Sequence, residues 1–268
     1  MPRDVSVEIA SNRDLGSGHR LLEVIASPLA DETRPGQFFM VGIPGADVLL
    51  RRPFSVCGLP GTFDGSAPGA VHVLYRVAGR GTALLAARKP GDPLSILGPL
   101  GRGFDLDLDP QTEALLVAGG IGSAPFPAVA AALSARGVRF ALLYGARSAS
   151  DLPLLDWFRG RAAEVLVATE DGSLGTKGLV TDPLRRRIAR GGSARVLACG
   201  PNPMLREVAA IAREASVPCE VSLEARMACG FGVCLGCVVP TRRGDGGEPA
   251  YERVCVEGPV MPAEKIEW

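Results

Sequence analysis

A chain of 268 residues with 47% hydrophobic content is long enough for two domains and a small appendage, each with its own core. Its 29 basic and 29 acidic residues cancel, which removes the overall field that would draw in nucleic acid or anionic lipid, and no apolar run reaches the ~18 residues of a membrane-crossing helix. The expectation is a soluble globular protein that binds neither nucleic acid nor membrane, rich in turns through its 34 glycines and 22 prolines.

In the first hundred residues, period-two stretches bounded by Gly, Pro and Asp run over Val5 to Ala10, Arg20 to Ala26, Gln37 to Ile43, Val71 to Val77 and Leu94 to Leu97. They predict short antiparallel strands closing a small barrel. Arg51-Arg52-Pro53-Phe54-Ser55 reads as a further strand, in which an arginine and a hydroxyl flank a proline that cannot donate to a ladder. Leu74-Tyr75-Arg76 leads into Gly79-Arg80-Gly81-Thr82 and a short helix at Ala83 to Ala87, a turn whose backbone N–H groups can receive a pyrophosphate. Each piece alone reads more readily as an ordinary hairpin with exposed arginines, since arginine-rich strands and glycine turns are common. Followed by Gly98-Pro99-Leu100-Gly101-Arg102-Gly103-Phe104, they become more specific together.

From Ala114 the period changes. Ala114 to Ala118 is a short apolar run, and Gly119-Gly120-Ile121-Gly122-Ser123-Ala124-Pro125 opens a helix through about Arg136. Further apolar runs at Phe140 to Tyr144, Val165 to Thr169, Val196 to Cys199 and Glu220 to Leu223 alternate with helical segments near Leu152 to Phe158, Pro183 to Arg190 and Pro203 to Ala215. Alternating β and α predicts a parallel sheet with right-handed crossovers. Asp182-Pro183 and Asn202-Pro203 each place a capping side chain before a proline at the first helical position. Ligands bind at the carboxyl ends of such strands, where Gly119, Gly120, Gly122 and Cys199-Gly200-Pro201 fall, so a nucleotide pyrophosphate is expected at the glycine turn. The turn departs from G-x-G-x-x-G, and Ala146-Arg147-Ser148 offers no acid for a ribose. Cys57 and Cys219 read as small core residues, and Cys199 as core or active-site lining. Arg185-Arg186-Arg187 reads as a solvated helix face.

The last segment carries Cys229-Gly230-Phe231-Gly232-Val233-Cys234-Leu235-Gly236-Cys237 and, further on, Cys255. C-x4-C-x2-C with a distant fourth cysteine is the plant-type 2Fe-2S pattern. Gly230, Gly232 and Gly236 permit positive φ and let backbone N–H groups approach sulfur. A zinc knuckle, which ordinarily reads C-x2-C twice, and buried free cysteines stand as the alternatives. Seven cysteines is an odd number and the first thirty residues show no secretion signal, so the thiols read as reduced and cytoplasmic.

Arg52-Pro53-Phe54-Ser55, Gly79-Arg80-Gly81-Thr82, Gly119-Gly120-Ile121-Gly122 and Cys199-Gly200-Pro201 together resemble the ferredoxin reductase superfamily, and Leu74-Tyr75-Arg76, Gly98 to Gly101, Thr169-Glu170-Asp171-Gly172-Ser173 with Gly178, Asn202-Pro203-Met204 and Met227-Ala228-Cys229-Gly230 narrow the resemblance. Within it, the whole chain resembles the electron-transfer subunits of heteromeric, NAD-linked dihydroorotate dehydrogenase. The resemblance implies an antiparallel FAD-binding β-barrel over residues 1–110, a Rossmann-like parallel α/β NAD-binding domain over 111–218 and a plant-type 2Fe-2S domain over 219–268. It implies flavin contacts from Arg52, Pro53, Phe54, Ser55, Leu74, Tyr75, Arg76, Gly81 and Thr82, and nicotinamide dinucleotide contacts from Gly119, Gly120, Gly122 and Gly200. Cys229, Cys234, Cys237 and Cys255 match the cluster ligands. Ser55, whose hydroxyl can meet a flavin ring nitrogen, and Cys199 are the candidate catalytic residues.

The implied role is a pyrimidine-biosynthetic electron-transfer subunit working with an FMN-containing dihydroorotate-oxidising partner, in a heterotetramer. No base for dihydroorotate chemistry is expected in this chain. The flavin and iron-sulfur small subunit of a ferredoxin-NAD(P) oxidoreductase or hydrogenase carries nearly the same motifs and remains a second reading, and a zinc-binding interaction module a third. Glu170 and Asp171 would repel a 2′-phosphate where Arg147 would attract one, and the resemblance tips the expectation to NAD over NADP. Met227, Ala228, Phe231, Val233 and Leu235 put apolar bulk around the cluster loop, which marks an expected partner face unless Phe231 and Val233 turn inward.

Overall fold

The computed structural model describes residues 2–242 and 249–268. Six strands, β1 (Arg3–Gly16), β2 (His19–Ile25), β3 (Phe38–Gly42), β4 (Arg52–Gly58), β5 (Ala70–Arg76) and β6 (Pro93–Leu100), close an antiparallel barrel in the order β1-β2-β5-β4-β3-β6. Alternation drives the closure: Leu22 and Val24, Phe39 and Val41, Val71 and Val73, and Leu94 and Ile96 fill one interior. Strand β1 outruns the expected Val5 to Ala10, because its polar half continues as a hairpin with β2 through register irregularities after Ile9 and Asp14. Ser17 and Gly18, both at positive φ, form its tight two-residue turn. Helix α1 (Ser27–Ala30) follows β2, and α2 (Arg80–Ala86) follows β5. The latter begins three residues before the expected Ala83, since the Thr82 hydroxyl accepts from the Ala78 and Gly79 N–H groups and secures its first turn.

The second sheet holds β7 (Glu113–Gly119), β8 (Phe140–Ala146), β9 (Glu164–Thr169), β10 (Thr176–Lys177), β11 (Ala194–Cys199) and β12 (Cys219–Ser222), all parallel, in the order β10-β9-β8-β7-β11-β12. Its central strands are apolar on both faces. Leu115 and Val117 of β7 join one core, and Ala114, Leu116 and Ala118 the other. Helices α3 (Phe126–Ala135) and α4 (Leu155–Arg159) cover the second core, while α5 (Thr181–Ala189) and α6 (Asn202–Glu214) cover the first.

Three expectations about helix ends change. Asp182 and Asn202 are not N-caps: α5 starts at Thr181 behind Val180, α6 starts at Asn202 behind Pro201, and neither start has a side-chain cap hydrogen bond. Asp182 instead places its charge in the positive first turn of α5. The segment from Leu152 becomes α-helical only at Leu155, because Pro153 keeps Leu152 out of the helical region and Leu154 is left-handed at φ 61°. Gly120–Ser123 is a 3-10 turn, and the following helix begins after Pro125. On α5, Arg185 pairs with Glu207 and Glu214, and Arg187 with Glu113 and Glu164, so this basic run is tied into the fold rather than merely solvated.

The C-terminal segment forms a hairpin, β13 (Val238–Thr241) with β14 (Ala250–Arg253), then β15 (Val260–Pro262). Strand β15 pairs antiparallel with β12 and extends the nucleotide sheet. The expected boundary after residue 218 therefore meets a continuous sheet: residues 219–222 belong to it as β12, and the cysteine loop is an excursion between β12 and β15. The barrel is stitched to the same excursion where the Arg102 N–H donates to the Gly258 carbonyl at 2.5 Å. A Cβ on Gly101 would stand 2.5 Å from Pro259 Cδ, so the two backbones meet with nothing between them.

Candidate redox site

Between barrel and sheet lies a cavity of about 390 Å³. Strands β4 and β5 supply Pro53, Phe54, Ser55, Leu74, Tyr75 and Arg76, β3 supplies Phe38, the glycine turn Gly122 and the end of β11 Cys199. All of these but Phe38 are residues the motifs nominated, brought together from stretches over a hundred residues apart in sequence. Ser222, Leu223, Glu224, Ala225 and Met227, which the motifs did not assign to the flavin site, form the wall leading to the cysteine loop. Tyr75 is held by its hydroxyl, which donates to Asn12 Oδ1 at 3.0 Å, and burial raises its pKa. At the mouth, Arg76 reaches from the barrel to Asp151 of the α/β unit, 3.6 Å away.

The other nominated residues stand outside this wall. Arg52 turns its guanidinium against Gly81, where it leaves no room for a Cβ, and donates to the Leu50 carbonyl. Thr82 spends its hydroxyl on the turn that caps α2. Gly119 and Gly200 are space requirements, since a Cβ at either would stand 2.7 and 2.6 Å from Met204. Gly120 is a conformational one, with φ 53° and open space around it. Gly122 crosses so close to the Cys199 carbonyl that no side chain fits. The Tyr144 hydroxyl, absent from the motifs, fixes this turn from 2.6 Å to Ser123 Oγ and 3.2 Å to the Gly120 carbonyl, and burial drives its pKa well up.

Cys199 is buried, and burial, followed by the charge of Glu224, pushes its thiol up to about 12 against the opposing Ser222 hydroxyl. It stays a neutral thiol, suited to packing against a ring rather than to attack. Burial also raises Glu224. On the sheet's carboxyl edge, the Asp171 carboxylate accepts from the Ser173 hydroxyl at 2.6 Å and N–H at 2.9 Å, which holds its pKa down. Arg147, just past β8, stands exposed on the same edge.

The cysteine loop departs from Met227, two residues before Cys229. Gly230 and Gly232 take φ of 79° and 91°, and a Cβ on either would collide with Met40 or Val256. Their turns aim backbone donors at sulfur: Cys234 N–H to Cys229 Sγ at 3.4 Å, and Gly236 N–H to Cys234 Sγ at 3.5 Å. Burial works to raise the Cys229 thiol, but the N–H groups of Cys234, Phe231 and Val233 outweigh it and bring it down to about 6. Cys237 and Cys255 are buried beside each other at the hairpin, where the Val254 N–H donates to the Cys237 carbonyl at 3.0 Å. Burial and the neighbouring Cys237 push the Cys255 thiol up to about 12. Arg253 braces the loop by donating to the Gly232 carbonyl at 3.3 Å and pairing with Glu257 at 2.5 Å.

Among the described residues no three His, Cys, Asp or Glu side chains converge as one metal ion requires. A two-iron cluster takes its four thiolates as one pair at each iron, and the chain offers two pairs, with backbone donors already directed at one of them. The residues fit the cluster.

Family models match the chain over two stretches, the iron-sulfur cluster binding domain of dihydroorotate dehydrogenase B over residues 224–267 and an oxidoreductase NAD-binding domain over 116–210. The electron transfer subunit of dihydroorotate dehydrogenase B (NAD(+)) from Geobacillus kaustophilus is 41% identical over 262 residues, 96% of each chain. The chain belongs to this family. The corresponding subunit of Desulforamulus reducens is 39% identical over 92% of each chain. Among solved structures, an NADH-dependent reduced ferredoxin-NADP oxidoreductase superposes with a TM-score of 0.82 and 28% identity, covering 98% of this chain and 90% of that one. A Neisseria gonorrhoeae ferredoxin NADP+ reductase shares the fold at 15% identity, with a TM-score of 0.65 over 79% of this chain and 91% of that one. As a member of the family the chain is an electron-transferring oxidoreductase subunit with iron-sulfur and NAD-binding units. No helix among the described residues is long and apolar enough to cross a membrane.

Proposed function

We propose that the cavity receives the flavin ring of FAD, that Cys229, Cys234, Cys237 and Cys255 hold a 2Fe-2S cluster, and that NAD binds along Gly119, Gly120, Gly122 and Gly200. The observation that carries this reading is Met227, which lines the cavity and stands two residues from Cys229, so the two sites share a wall. When bound, the cluster passes single electrons, and the flavin, able to take one or two, exchanges a hydride with nicotinamide.

The chain's own residues then do the following. Phe54 and Tyr75, 5.7 Å apart by ring centroids, with Leu74, give the ring an apolar seat. Ser55 lines the cavity and would offer its hydroxyl to a ring nitrogen. Cys199 remains protonated against the opposite wall, and Gly122 lets backbone approach the dinucleotide without a side chain. Arg76 stands where a pyrophosphate charge would need an offsetting cation. With Asp171 bound to Ser173, Glu170 is the carboxylate free to turn away a 2′-phosphate, which favours NAD over NADP.

The partner in this reading is an FMN-containing subunit that oxidises dihydroorotate, assembled with this chain as a heterotetramer. Phe231, Val233 and Leu235 are 50%, 73% and 58% exposed around Cys234, so the apolar residues of the loop turn outward as a docking face requires. Met227 turns partly inward, against the core. The similarity to the reduced ferredoxin-NADP oxidoreductase supports a second reading, with ferredoxin chemistry at the same cluster. Reconstitution separates them: mixed with a dihydroorotate-oxidising FMN protein, the chain should couple dihydroorotate oxidation to NAD reduction. Coupling to ferredoxin alone would transfer the assignment to the second reading.

A further inference from the structure

Strand β3 sends its side chains to two interiors. Phe39 and Val41 fill the barrel, whereas Phe38 and Met40 leave it for the core that holds Cys237, Val254 and Cys255. Met40 is fully buried. On its own sheet it lies opposite Pro53 of β4 and Leu97 of β6, and Pro53 and Phe38 line the cavity. On its other side it lies directly beneath Gly230, the residue after Cys229: a Cβ there would stand 2.8 Å from the Met40 Sδ and closer still to Cγ. One side chain thus joins a strand of the cavity wall to the backbone of the cysteine loop.

We propose that Met40 is a positioning residue for electron transfer, the support on which the cysteine loop is seated and which sets the gap between the Cys229 end of the loop and the cavity. The proposal rests on the assignment of flavin and cluster to those two places. An unbranched, polarisable thioether moulds to a glycine backbone where a β-branched residue would not. Gly230 is the complement, since its positive φ and missing Cβ let the loop descend to contact. Electrons pass between the two cofactors only, and the thioether is neither oxidised nor protonated. Because transfer between fixed centres falls steeply with separation, lifting or loosening the loop should slow that one step.

The test uses the full chain as Met40→Leu, Met40→Ala and Gly230→Ala, with iron, sulfide and flavin content measured first. Each is mixed rapidly with NADH while flavin and cluster absorbance are followed separately. The flavin phase should keep its wild-type rate in all three. The cluster phase should slow several-fold in Met40→Ala and Gly230→Ala and return close to wild type in Met40→Leu, which conserves volume. A wild-type cluster phase in Gly230→Ala or Met40→Ala with cofactors retained would overturn the proposal, as would equal slowing of both phases, which marks general damage. Should the void in Met40→Ala prevent folding, Gly230→Ala against Met40→Leu decides alone. A wild-type protein with flavin and cluster but no cluster phase would remove the proposed function itself, and this proposal with it.

Discussion

The cysteine loop and the cavity beside it reach function by opposite routes. Between Cys229 and Cys237 the chain supplies three of the four candidate ligands, their turns and sulfur-directed N–H donors within nine residues, with Cys255 the fourth from further on. The cavity draws on β3, β4, β5, the turn after β7, the end of β11 and the stretch after β12. The loop is local and exposed, with Cys234 at the surface and backbone N–H groups directed at the Cys229 and Cys234 sulfurs. The cavity is non-local and only half-buried, and its shape comes from packing between elements. Damage to the loop should therefore remove one cofactor and leave the rest, while damage to the cavity should spread.

Cys234→Ser gives the largest effect and tests the independence of the loop. A serine oxygen is a poor iron-sulfur ligand, so iron and sulfide should be lost while FAD content stays at wild type. Unchanged iron and sulfide would remove Cys234 from the ligand set. Next comes Phe231→Asp on the loop's outer surface. Dye-linked NADH oxidation should survive, and coupled dihydroorotate oxidation should fall together with co-elution of the partner; a partner that still co-elutes with full coupling places docking elsewhere.

Gly122→Ala probes the cavity instead. The methyl must displace the Cys199 carbonyl, at a cost of about 1–3 kcal/mol for forced overpacking. Thermal unfolding should come earlier and the KM for NADH should rise, with cluster content unchanged. A smaller effect concerns Cys199. Its thiol, raised to about 12, stays protonated through neutral and mildly alkaline pH, so the pH profile of NADH oxidation should keep its shape in Cys199→Ala. A limb that disappears in the variant would show a titrating thiol.

The smallest prediction returns to the loop. The Arg253 guanidinium holds the Glu257 carboxyl below its ordinary range. A lowered folded-state pKa contributes stability above the unfolded value and loses it as pH falls through the folded one. Cluster retention should therefore decline modestly in acid, and Glu257→Gln should flatten that decline, read from cluster absorbance across an acid titration.

The same contrast explains what was legible in sequence. The four cysteines could be nominated as ligands because three of them stand in one contiguous C-x4-C-x2-C spacing. The barrel and parallel sheet were readable because a period of two and alternating β and α survive without tertiary detail. Glu224 was missed although it lies two residues beyond the end of β12, a place where strand ends point to ligands. Met227 could be placed beside the cluster but not in the cavity wall, which depends on how the loop leaves β12. Tyr144 and Met40 carried no signal beyond apolar periodicity, since their roles depend on what packs over them. Arg52 and Thr82 do not line the cavity, and the Leu50 carbonyl and the α2 turn take up their hydrogen bonds, a placement that no sequence pattern signals.

In the proposed function the flavin cavity stands between nicotinamide and cluster, so electrons would pass from one to the other only by way of the flavin. Rapid mixing of NADH with protein stripped of FAD but retaining its cluster tests this most directly. No cluster reduction is expected on the catalytic time scale, and it should return when FAD is added back. Cluster reduction by NADH at the wild-type rate without FAD would contradict it.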